Sequence, residues 1–272
     1  MPETITSRDN SLLRVARAVR DGKTEDSIFV EGLRLCEEAL RSGLTIEAVI
    51  VSDELASKEK AKDLLDELER ASARLVLVSE SLLGTVSFTK TPQGIIMLAA
   101  RPQIDEAGFK AKQPASPLLV VMHGINNPVN VGAIIRTSEA AGVTGIITTV
   151  TTSDPFSAKA LRGAMGSAFR LPFWTKAGYR EVIDWCSEAG IRTVCADVKG
   201  KETYSTVDWT AATALIMGPE STGLGEEEIA SADAVVKIPM KGQVESLNVG
   251  VAAGILLYEA MRRRDADKKL SY

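Results

Sequence analysis

The hydrophobic and polar residues of the chain form short apolar runs that alternate with segments of helical spacing. In residues 1–100, apolar runs predict strands at 28–30, 46–51, 74–78 and 95–99. Apolar residues three and four positions apart predict helices near 12–19 and at 33–42, 58–72 and 79–86. Because strands and helices alternate, residues 1–100 are predicted to form a small α/β domain with helices packed on its sheet.

The second half of the chain opens with Leu118–Met122, an apolar run typical of a strand that is buried on both faces. Further strands are predicted at 146–147, 169–173, 191–196, 214–217 and 234–238. Helices are predicted at 131–141, 157–165, 179–188, 226–230 and 249–261. This order predicts a parallel-sheet α/β domain over residues 118–264. A proline-containing linker at 101–117 is expected to precede the domain, and a polar tail at 265–272 to follow it.

Composition excludes several classes of protein. The 272 residues carry a net charge of −4, so any basic signal for nucleic acid must be local. Three scattered cysteines and one histidine, His123, do not make a convincing zinc site, and no metal is expected. His123 is interpreted as a structural residue at a strand end. Without a signal-peptide pattern or an apolar run long enough to cross a membrane, we expect a cytoplasmic protein.

The N-terminal segment is locally basic although the whole chain is acidic. Arg14 and Arg17 lie among the polar positions of the first predicted helix, opposite its apolar positions. Two interpretations of this cationic helix face stay open. One is a solvated surface, and the other is a patch that contacts RNA.

Three polar loops follow buried strands of the second domain, at 126–136, 216–225 and 238–248. Loops at the carboxyl ends of parallel strands meet at one edge of the sheet, where α/β proteins bind ligands. Ser246 is predicted to be the N-cap of the closing helix, and Asn130 is a candidate cap of the helix that begins near Val131. The polar side chains that these loops bring together are Asn130, Arg136, Glu220, Ser246 and Asn248.

Two glycine patterns in this region do not fit nucleotide-binding motifs. The segment 218–223 resembles a phosphate loop, but Leu224 stands where that loop needs lysine. The segment 223–228 ends in three glutamates where a dinucleotide phosphate would lie. No serine lies in a nucleophile-elbow context. Nucleotide hydrolysis, dehydrogenase chemistry and acyl hydrolysis are therefore disfavoured.

The three loops together resemble the signature motifs of the SpoU (TrmH-like) branch of the SPOUT methyltransferases. The pattern N-x-G-x-x-x-R-T occurs at 130–137, G-x-E-x-x-G-L at 218–224, and I-P-M-x-G-x-x-E-S-L-N-V at 238–249. The segment 154–172 is similar to the stretch that lies between the first two motifs. More weakly, residues 1–100 resemble the ribosomal-protein-like RNA-binding domain that precedes the catalytic domain in many bacterial members.

The resemblance implies a trefoil knot in the C-terminal domain, S-adenosylmethionine as cofactor, and methyl transfer to a ribose 2′-hydroxyl of RNA. It implies a homodimer with the closing helix near the interface. Arg136 is the candidate that contacts and activates the 2′-hydroxyl, with Asn130, Glu220, Ser246 and Asn248 orienting groups around it. Backbone groups of Gly218, Ile238 and Leu247 are the candidates for cofactor contacts.

Ribosomal RNA of the large subunit is the expected substrate, because the tRNA-modifying relatives generally lack the N-terminal domain. Methylation of tRNA, an antibiotic-resistance role and a non-catalytic ribosome-assembly factor stay open as alternatives. The residues expected to contact RNA phosphates are Lys159, Arg162, Arg170, Arg14 and Arg17.

Overall fold

The computed structural model describes residues 2–270, with side chains described up to residue 267. These residues form two compact units. The first contains the chain up to Pro102 together with Phe156–Arg170, and the second contains Gln103–Pro155 and the chain from Leu171 onward. The segment 156–170 thus belongs to the first unit, whereas the predicted boundaries assign it to the second domain.

Apart from β1 and β10, which match no predicted run, the strands lie at or next to the predicted apolar runs. They are β1 (Glu3–Ile5), β2 (Ser27–Glu31), β3 (Ile46–Ser52), β4 (Leu75–Val78), β5 (Ile95–Ala100), β6 (Leu118–Met122), β7 (Gly145–Thr149), β8 (Phe173–Ala177), β9 (Arg192–Ala196), β10 (Glu202–Thr203), β11 (Thr213–Met217) and β12 (Ala234–Lys237).

The helices connect these strands and cover the sheets. They are α1 (Ser11–Arg20), α2 (Leu33–Arg41), α3 (Asp53–Ala56), α4 (Lys62–Ala71), α5 (Glu80–Gly84), α6 (Glu106–Ala111), α7 (Pro128–Ala140), α8 (Ala158–Ala164), α9 (Ser167–Arg170), α10 (Tyr179–Glu188), α11 (Glu226–Ala230) and α12 (Val249–Leu270). None of the described helices combines the length and apolarity needed to cross a bilayer.

The first unit is built on a five-stranded sheet in the order β1-β4-β3-β5-β2. Strands β1, β4 and β3 are parallel, and β5 runs antiparallel to both of its neighbours, β3 and β2. Helix α1 buries Leu13, Ala16 and Val19 in the core of this unit, which confirms the predicted amphipathic helix. The side chain of Asn10 accepts a hydrogen bond from Leu12 N at 2.9 Å and caps the helix.

The segment 156–170 packs into the first unit through apolar and charged side chains. Ala158 on α8 packs against the apolar core of the unit. The guanidinium of Arg101 lies 4.7 Å from the centroid of the Phe156 ring, and Arg170 pairs with Glu38 of α2. Helical spacing predicts α8 correctly, but an amphipathic pattern does not specify which core receives its apolar face.

The second unit is built on a parallel seven-stranded sheet in the order β10-β12-β9-β11-β6-β7-β8. The central strands β6 and β11 are buried at every position, as expected for a sheet covered on both faces. The sheet confirms the predicted α/β fold with parallel strands. Because β9, β11 and β12 belong to one parallel sheet, their carboxyl ends lie at the same edge.

The predicted strand at 169–173 and the predicted linker at 101–117 both differ from the structure. Residues 169–173 are predicted to be a strand, but α9 ends at Arg170 and β8 begins only at Phe173. A short apolar run does not distinguish a buried helical turn from a strand. The predicted linker contains α6, whose Phe109 is buried and packs against Trp174 and Trp185 at 6.2 and 6.0 Å between ring centroids.

The closing helix α12 begins at Val249, where its apolar pattern starts but later than the predicted cap at Ser246 implies, and it extends further than that pattern indicates. It continues to Leu270, so residues 265–270 of the predicted polar tail are helical. The last two residues of that predicted tail, 271 and 272, lie outside the described residues. Glu259, which pairs with Arg262 and Arg263, supports the polar part of the helix.

Candidate active site

A cavity of about 310 Å³ lies at the carboxyl edge of the second sheet. It is lined by residues that follow the ends of β9, β11 and β12 and by the start of α12. The predicted cofactor-contact residues Gly218, Ile238 and Leu247 all line this cavity, and so do Glu220 and Ser246. The structure therefore brings the second and third polar loops together around one space.

The wall formed by residues 218–224 is tightly packed. A Cβ added to Gly218 would lie 2.7 Å from Cγ and 3.1 Å from the backbone nitrogen of Leu224. Pro219 packs against Gly124, where an added Cβ would lie 2.8 Å from the proline Cγ. The loop thus depends on the absence of side chains at two positions where backbone and side chain approach closely.

A chain of hydrogen bonds connects the three loops beside the cavity. Asn248 Nδ2 donates to Asn130 Oδ1 at 3.1 Å, and Asn130 Nδ2 donates to Glu220 Oε1 at 2.8 Å. Glu220 lines the cavity, and Asn130 is buried next to it. The two asparagines therefore hold one carboxylate oxygen of Glu220 in place and leave the other oxygen outside this chain of contacts.

Asn248, and not Ser246, is the N-cap of α12. The Oδ1 atom of Asn248 accepts from Gly250 N at 2.9 Å and from Val251 N at 3.3 Å. The prediction for Ser246 is wrong because the helix begins at Val249, which puts Ser246 too far from the unpaired N–H groups of the first turn. Ser246 is exposed, and its hydroxyl makes no hydrogen bond with a described residue.

The cap also fixes the direction of the hydrogen-bond chain. Because Oδ1 of Asn248 faces two backbone N–H groups, its Nδ2 must be the atom that faces Asn130. Asn130 then presents Oδ1 to Asn248 and Nδ2 to Glu220. The orientation of the whole chain follows from the start of one helix.

Asn130 does not cap a helix. Helix α7 begins at Pro128, and Asn127 is its cap, with Oδ1 accepting from Val129 N at 3.0 Å. Proline at the first helical position moves the start of the helix ahead of the predicted Val131. Asn130 is therefore inside the first turn of α7, where its side chain is available for Glu220 and Asn248.

Arg136 lies on α7 but does not line the cavity. Its side chain is exposed and makes no hydrogen bond or ion pair with any described residue. Helix α7 packs against α12 through small residues, since added Cβ atoms at Gly250 and Gly254 would lie 3.5 Å from Ala133 and 3.7 Å from Thr137. Gly250 and Gly254 thus bring the two helices close together within the chain.

The sequence prediction missed the contribution of the β9 end to the cavity. Asp197, Val198 and Lys199 follow β9 and line the cavity, and Asp197 Oδ1 accepts from Lys199 N at 2.7 Å. The sequence could have indicated this contribution, because residues 197–200 also form a polar segment after a buried strand. With Asp197, Glu220 and Glu245 against Lys199, the lining carries more negative than positive side chains.

His123 lies at the end of β6 and outside the cavity lining. Its ring contacts the ring of Tyr179 at 4.7 Å between centroids, and Nε2 lies 3.9 Å from a carboxylate oxygen of Glu228. Burial lowers the pKa of His123, and the carboxylate of Glu228 partly opposes this effect. Its Nδ1 is buried without a hydrogen-bond partner among the described residues. These packing contacts agree with the interpretation of His123 as a structural residue at a strand end.

The predicted RNA-contact residues all lie in the first unit. Lys159, Arg162 and Arg14 are exposed, and Arg170 is exposed while pairing with Glu38. Arg17 is half-buried and donates to the backbone oxygen of Arg8 at 2.9 Å. Four of these five cations are therefore exposed, whereas Arg17 is half-buried and contacts the N-terminal segment through Arg8.

Comparisons with known proteins agree with the arrangement of the loops. A family model described as the SpoU rRNA Methylase family matches residues 117–258. A second one, described as the MRM3-like substrate binding domain, matches residues 16–97. The first match includes all three polar loops, and the second lies within the first unit.

Relatives and solved structures match over nearly the whole chain. An uncharacterised tRNA/rRNA methyltransferase of Synechocystis sp. is 30% identical over 96% of this chain and 94% of its own. The 23S rRNA (guanosine(2553)-2'-O)-methyltransferase RlmP of Bacillus subtilis is 29% identical over 86% of this chain and 88% of its own. The crystal structure of an AdoMet-bound rRNA methyltransferase from Sinorhizobium meliloti superposes with a TM-score of 0.83 at 30% identity, covering 96% of this chain and 97% of that one. The chain belongs to the SpoU rRNA methylase family.

Proposed function

We propose that the protein transfers a methyl group from S-adenosylmethionine to a ribose 2′-hydroxyl of ribosomal RNA. The observation that carries this proposal is the chain Asn248–Asn130–Glu220, which holds a carboxylate at the edge of the cavity. The names of the relatives, which include a 23S rRNA 2′-O-methyltransferase, support the reaction and the substrate class.

The cavity fits the proposed cofactor in size and chemistry. Its volume of about 310 Å³ falls within the usual range for small-molecule sites. Met217, Ile238 and Leu247 supply apolar surface for a purine, and the excess of carboxylates suits a positively charged sulfonium. When bound, the cofactor supplies the electrophilic methyl group, so the protein has to position the RNA and assist loss of a proton.

Glu220 and Arg136 have different roles at the ribose 2′-oxygen in this proposal. Asn130 donates to Oε1 of Glu220, and the second carboxylate oxygen accepts the proton that the ribose hydroxyl loses. Arg136 donates to the 2′-oxygen and stabilises the negative charge that develops there. A guanidinium stays protonated in proteins, so this role does not need Arg136 to act as a base.

The first unit supplies RNA affinity in this proposal. Lys159, Arg162, Arg170, Arg14 and Arg17 contact phosphates, which position the substrate without selecting its sequence. The match of residues 16–97 to a substrate-binding domain supports residues 1–100 as the RNA-binding domain, and the match of 117–258 supports 118–264 as the methyltransferase domain. A trefoil knot formed by the loops of the second unit and a cytoplasmic location complete the proposal.

We also infer that the protein is a homodimer through α7 and α12. Apolar side chains remain exposed on both helices, at Val129, Val251 and Tyr258, with 53% of Val251 and 49% of Tyr258 accessible. Exposed apolar side chains on two adjacent helices are typical of a surface that a second copy covers. The same helix α7 carries Arg136, so the interface would lie next to the proposed chemistry.

Substituting Tyr258→Glu together with Val251→Asp is expected to convert the dimer into a monomer, because each copy would bury unpaired charges. Light scattering coupled to size-exclusion chromatography measures the mass. The control is Val150→Asp, which changes another exposed valine that follows β7 and belongs to neither helix. A double variant that keeps the mass of the wild type would contradict this interface.

Substituting Gly218→Ala is expected to weaken S-adenosylmethionine binding at least about tenfold, since the added methyl group displaces Leu224 from the cavity wall. Isothermal titration calorimetry measures the dissociation constant. Gly178→Ala is the matched control, because a Cβ there meets Glu181 only at ordinary contact distance. Equal affinity in the Gly218 variant and the wild type would remove this loop from the cofactor site.

The proposed function is tested by methyl transfer from labelled S-adenosylmethionine to unmodified ribosomal RNA transcribed in vitro. We expect label in the large-subunit RNA, at a ribose that becomes resistant to alkaline cleavage. Label found only in tRNA would show that the substrate is tRNA and would leave the proposed reaction unchanged. Absence of label in any RNA, with no binding of the cofactor, would favour a non-catalytic assembly factor.

A further inference from the structure

A loop of the first unit presents an aromatic side chain to solvent. It follows α5 and precedes β5, and Phe88 lies in it with 43% of its surface accessible. A single exposed hydrophobic residue is ordinary on protein surfaces. The surroundings of Phe88 are not ordinary, because several half-buried polar groups hold the backbone of this loop.

Glu31, the last residue of β2, is the main anchor of the loop. Its carboxylate accepts from Phe88 N at 2.7 Å, from the Thr89 hydroxyl at 2.7 Å and from the Ser87 hydroxyl. Three donors on consecutive residues compensate the negative charge of Glu31 and fix the position from which the Phe88 ring projects.

Arg20 also holds this loop. Its NH1 group donates to the backbone oxygens of Val86 at 3.0 Å and Ser87 at 3.3 Å, while Nε pairs with Asp21. An arginine and a glutamate thus fix the backbone around the ring. The entropy cost of ordering an aromatic side chain against a ligand is reduced when its backbone is already fixed.

Two exposed cationic side chains belong to this loop and to the helix that the loop contacts. Lys90 is exposed two residues after Phe88, and Arg34 is exposed in the first turn of α2. Gln93, at the end of the loop, ties the loop to α2 because its Oε1 accepts from Leu33 N at 3.1 Å. Neither Lys90 nor Arg34 makes a hydrogen bond or an ion pair with a described residue.

We propose that Phe88 is a stacking platform for an unpaired base of the RNA substrate, with Lys90 and Arg34 contacting the adjacent phosphates. Aromatic rings that stack on bases, together with cationic side chains that contact phosphates, are the combination with which proteins bind single-stranded RNA. This inference rests on the proposed function, and it identifies the part of the substrate that the first unit recognises as single-stranded. Its residues belong to the first unit alone, whereas the cavity is lined by residues of the second.

Binding of a 23S rRNA transcript and of a fully paired RNA duplex, measured without cofactor, tests the platform. Phe88→Ala is expected to weaken transcript binding about tenfold, which corresponds to ~1.4 kcal/mol, and to leave duplex binding unchanged. Phe88→Tyr keeps a stacking ring and should bind like the wild type, whereas Phe88→Leu keeps only apolar bulk and should bind like the alanine variant. Val15→Ala, at another exposed apolar residue of this unit, is the control.

Equal transcript binding by the wild type and Phe88→Leu would overturn stacking, and equal binding by Phe88→Ala would overturn any role for the ring. In methylation assays, Phe88→Ala should raise KM for RNA and leave kcat at saturating RNA unchanged. Absence of methylation by the wild type would instead contradict the proposed function. The binding measurements use no cofactor, so the two failures are distinguishable.

Discussion

Substituting Arg136→Ala is expected to reduce kcat for methyl transfer at least about a hundredfold, the usual effect of removing one donor to a developing oxyanion. Affinity for S-adenosylmethionine should stay nearly unchanged, because Arg136 does not line the cavity. Stability should also be unchanged, since the side chain is exposed and has no partner among the described residues. Single-turnover kinetics, calorimetry and thermal unfolding measure the three quantities.

Arg136→Lys separates charge from geometry in the same experiment. Lysine keeps the positive charge but lacks the planar fork that donates two directed hydrogen bonds. We expect turnover of the lysine variant to stay well below that of the wild type. If the alanine variant instead loses cofactor affinity and keeps its single-turnover rate, Arg136 belongs to binding and not to the chemistry.

Asn248→Asp is expected to lower turnover at least about tenfold, because Glu220 loses the position in which the two asparagines hold it. Stability should change little, since Asn248 and Glu220 are exposed and water can replace the lost contact. The introduced aspartate still accepts from the first turn of α12, so the cap is preserved. It cannot donate to Asn130 Oδ1. Asn130 would then turn its Nδ2 group toward the new carboxylate and its Oδ1 atom toward Glu220. Because two oxygen acceptors repel each other, Glu220 would be displaced.

Asn248→Ala removes the cap as well, and should lower the free energy of unfolding by about 1 kcal/mol in addition to lowering turnover. Ser246→Ala is the matched control, because Ser246 neither caps α12 nor bonds to a described residue. Chemical denaturation measures stability and labelled methyl transfer measures turnover. Full activity in Asn248→Asp, or an equal loss of stability in Ser246→Ala, would contradict the assigned roles.

Much of the site could be predicted, because the carboxyl ends of parallel strands, and the loops that follow them, lie at one edge of a sheet. Three polar loops after buried strands had to meet at one sheet edge, and Gly218, Ile238 and Leu247 do line one cavity there. The family resemblance contributed the reaction and the cofactor, which periodicity does not contain. The match of 117–258 to the SpoU rRNA Methylase family confirms that resemblance.

The misassigned cap shows where local pattern is insufficient. Ser246 and Asn248 are both good N-cap residues, and only the start of the helix decides between them. That start depends on how α12 packs against α7 through Gly250 and Gly254, which is a tertiary contact. The same limit applies to Asn130, because Pro128 begins α7 earlier than the apolar pattern does.

Two further features depend on tertiary structure alone. The short edge strand β1 contains a single buried residue, Ile5, so no apolar run predicts this strand. The helices of segment 156–170 have recognisable apolar faces, but their place in the first unit follows from contacts such as Arg170 with Glu38. The cation Arg170 therefore joins the basic residues of the proposed RNA-binding domain although it lies far from them in sequence.

A map of 2′-O-methylated riboses in ribosomal RNA tests the proposed function in the cell. The map is made from cells that carry the wild-type gene, lack the gene, or carry the Arg136→Ala variant. We expect one ribose of large-subunit RNA to be methylated with the wild type, and to be unmethylated both in the deletion and with the variant. Identical maps of ribosomal RNA and tRNA in all three strains would contradict the proposal.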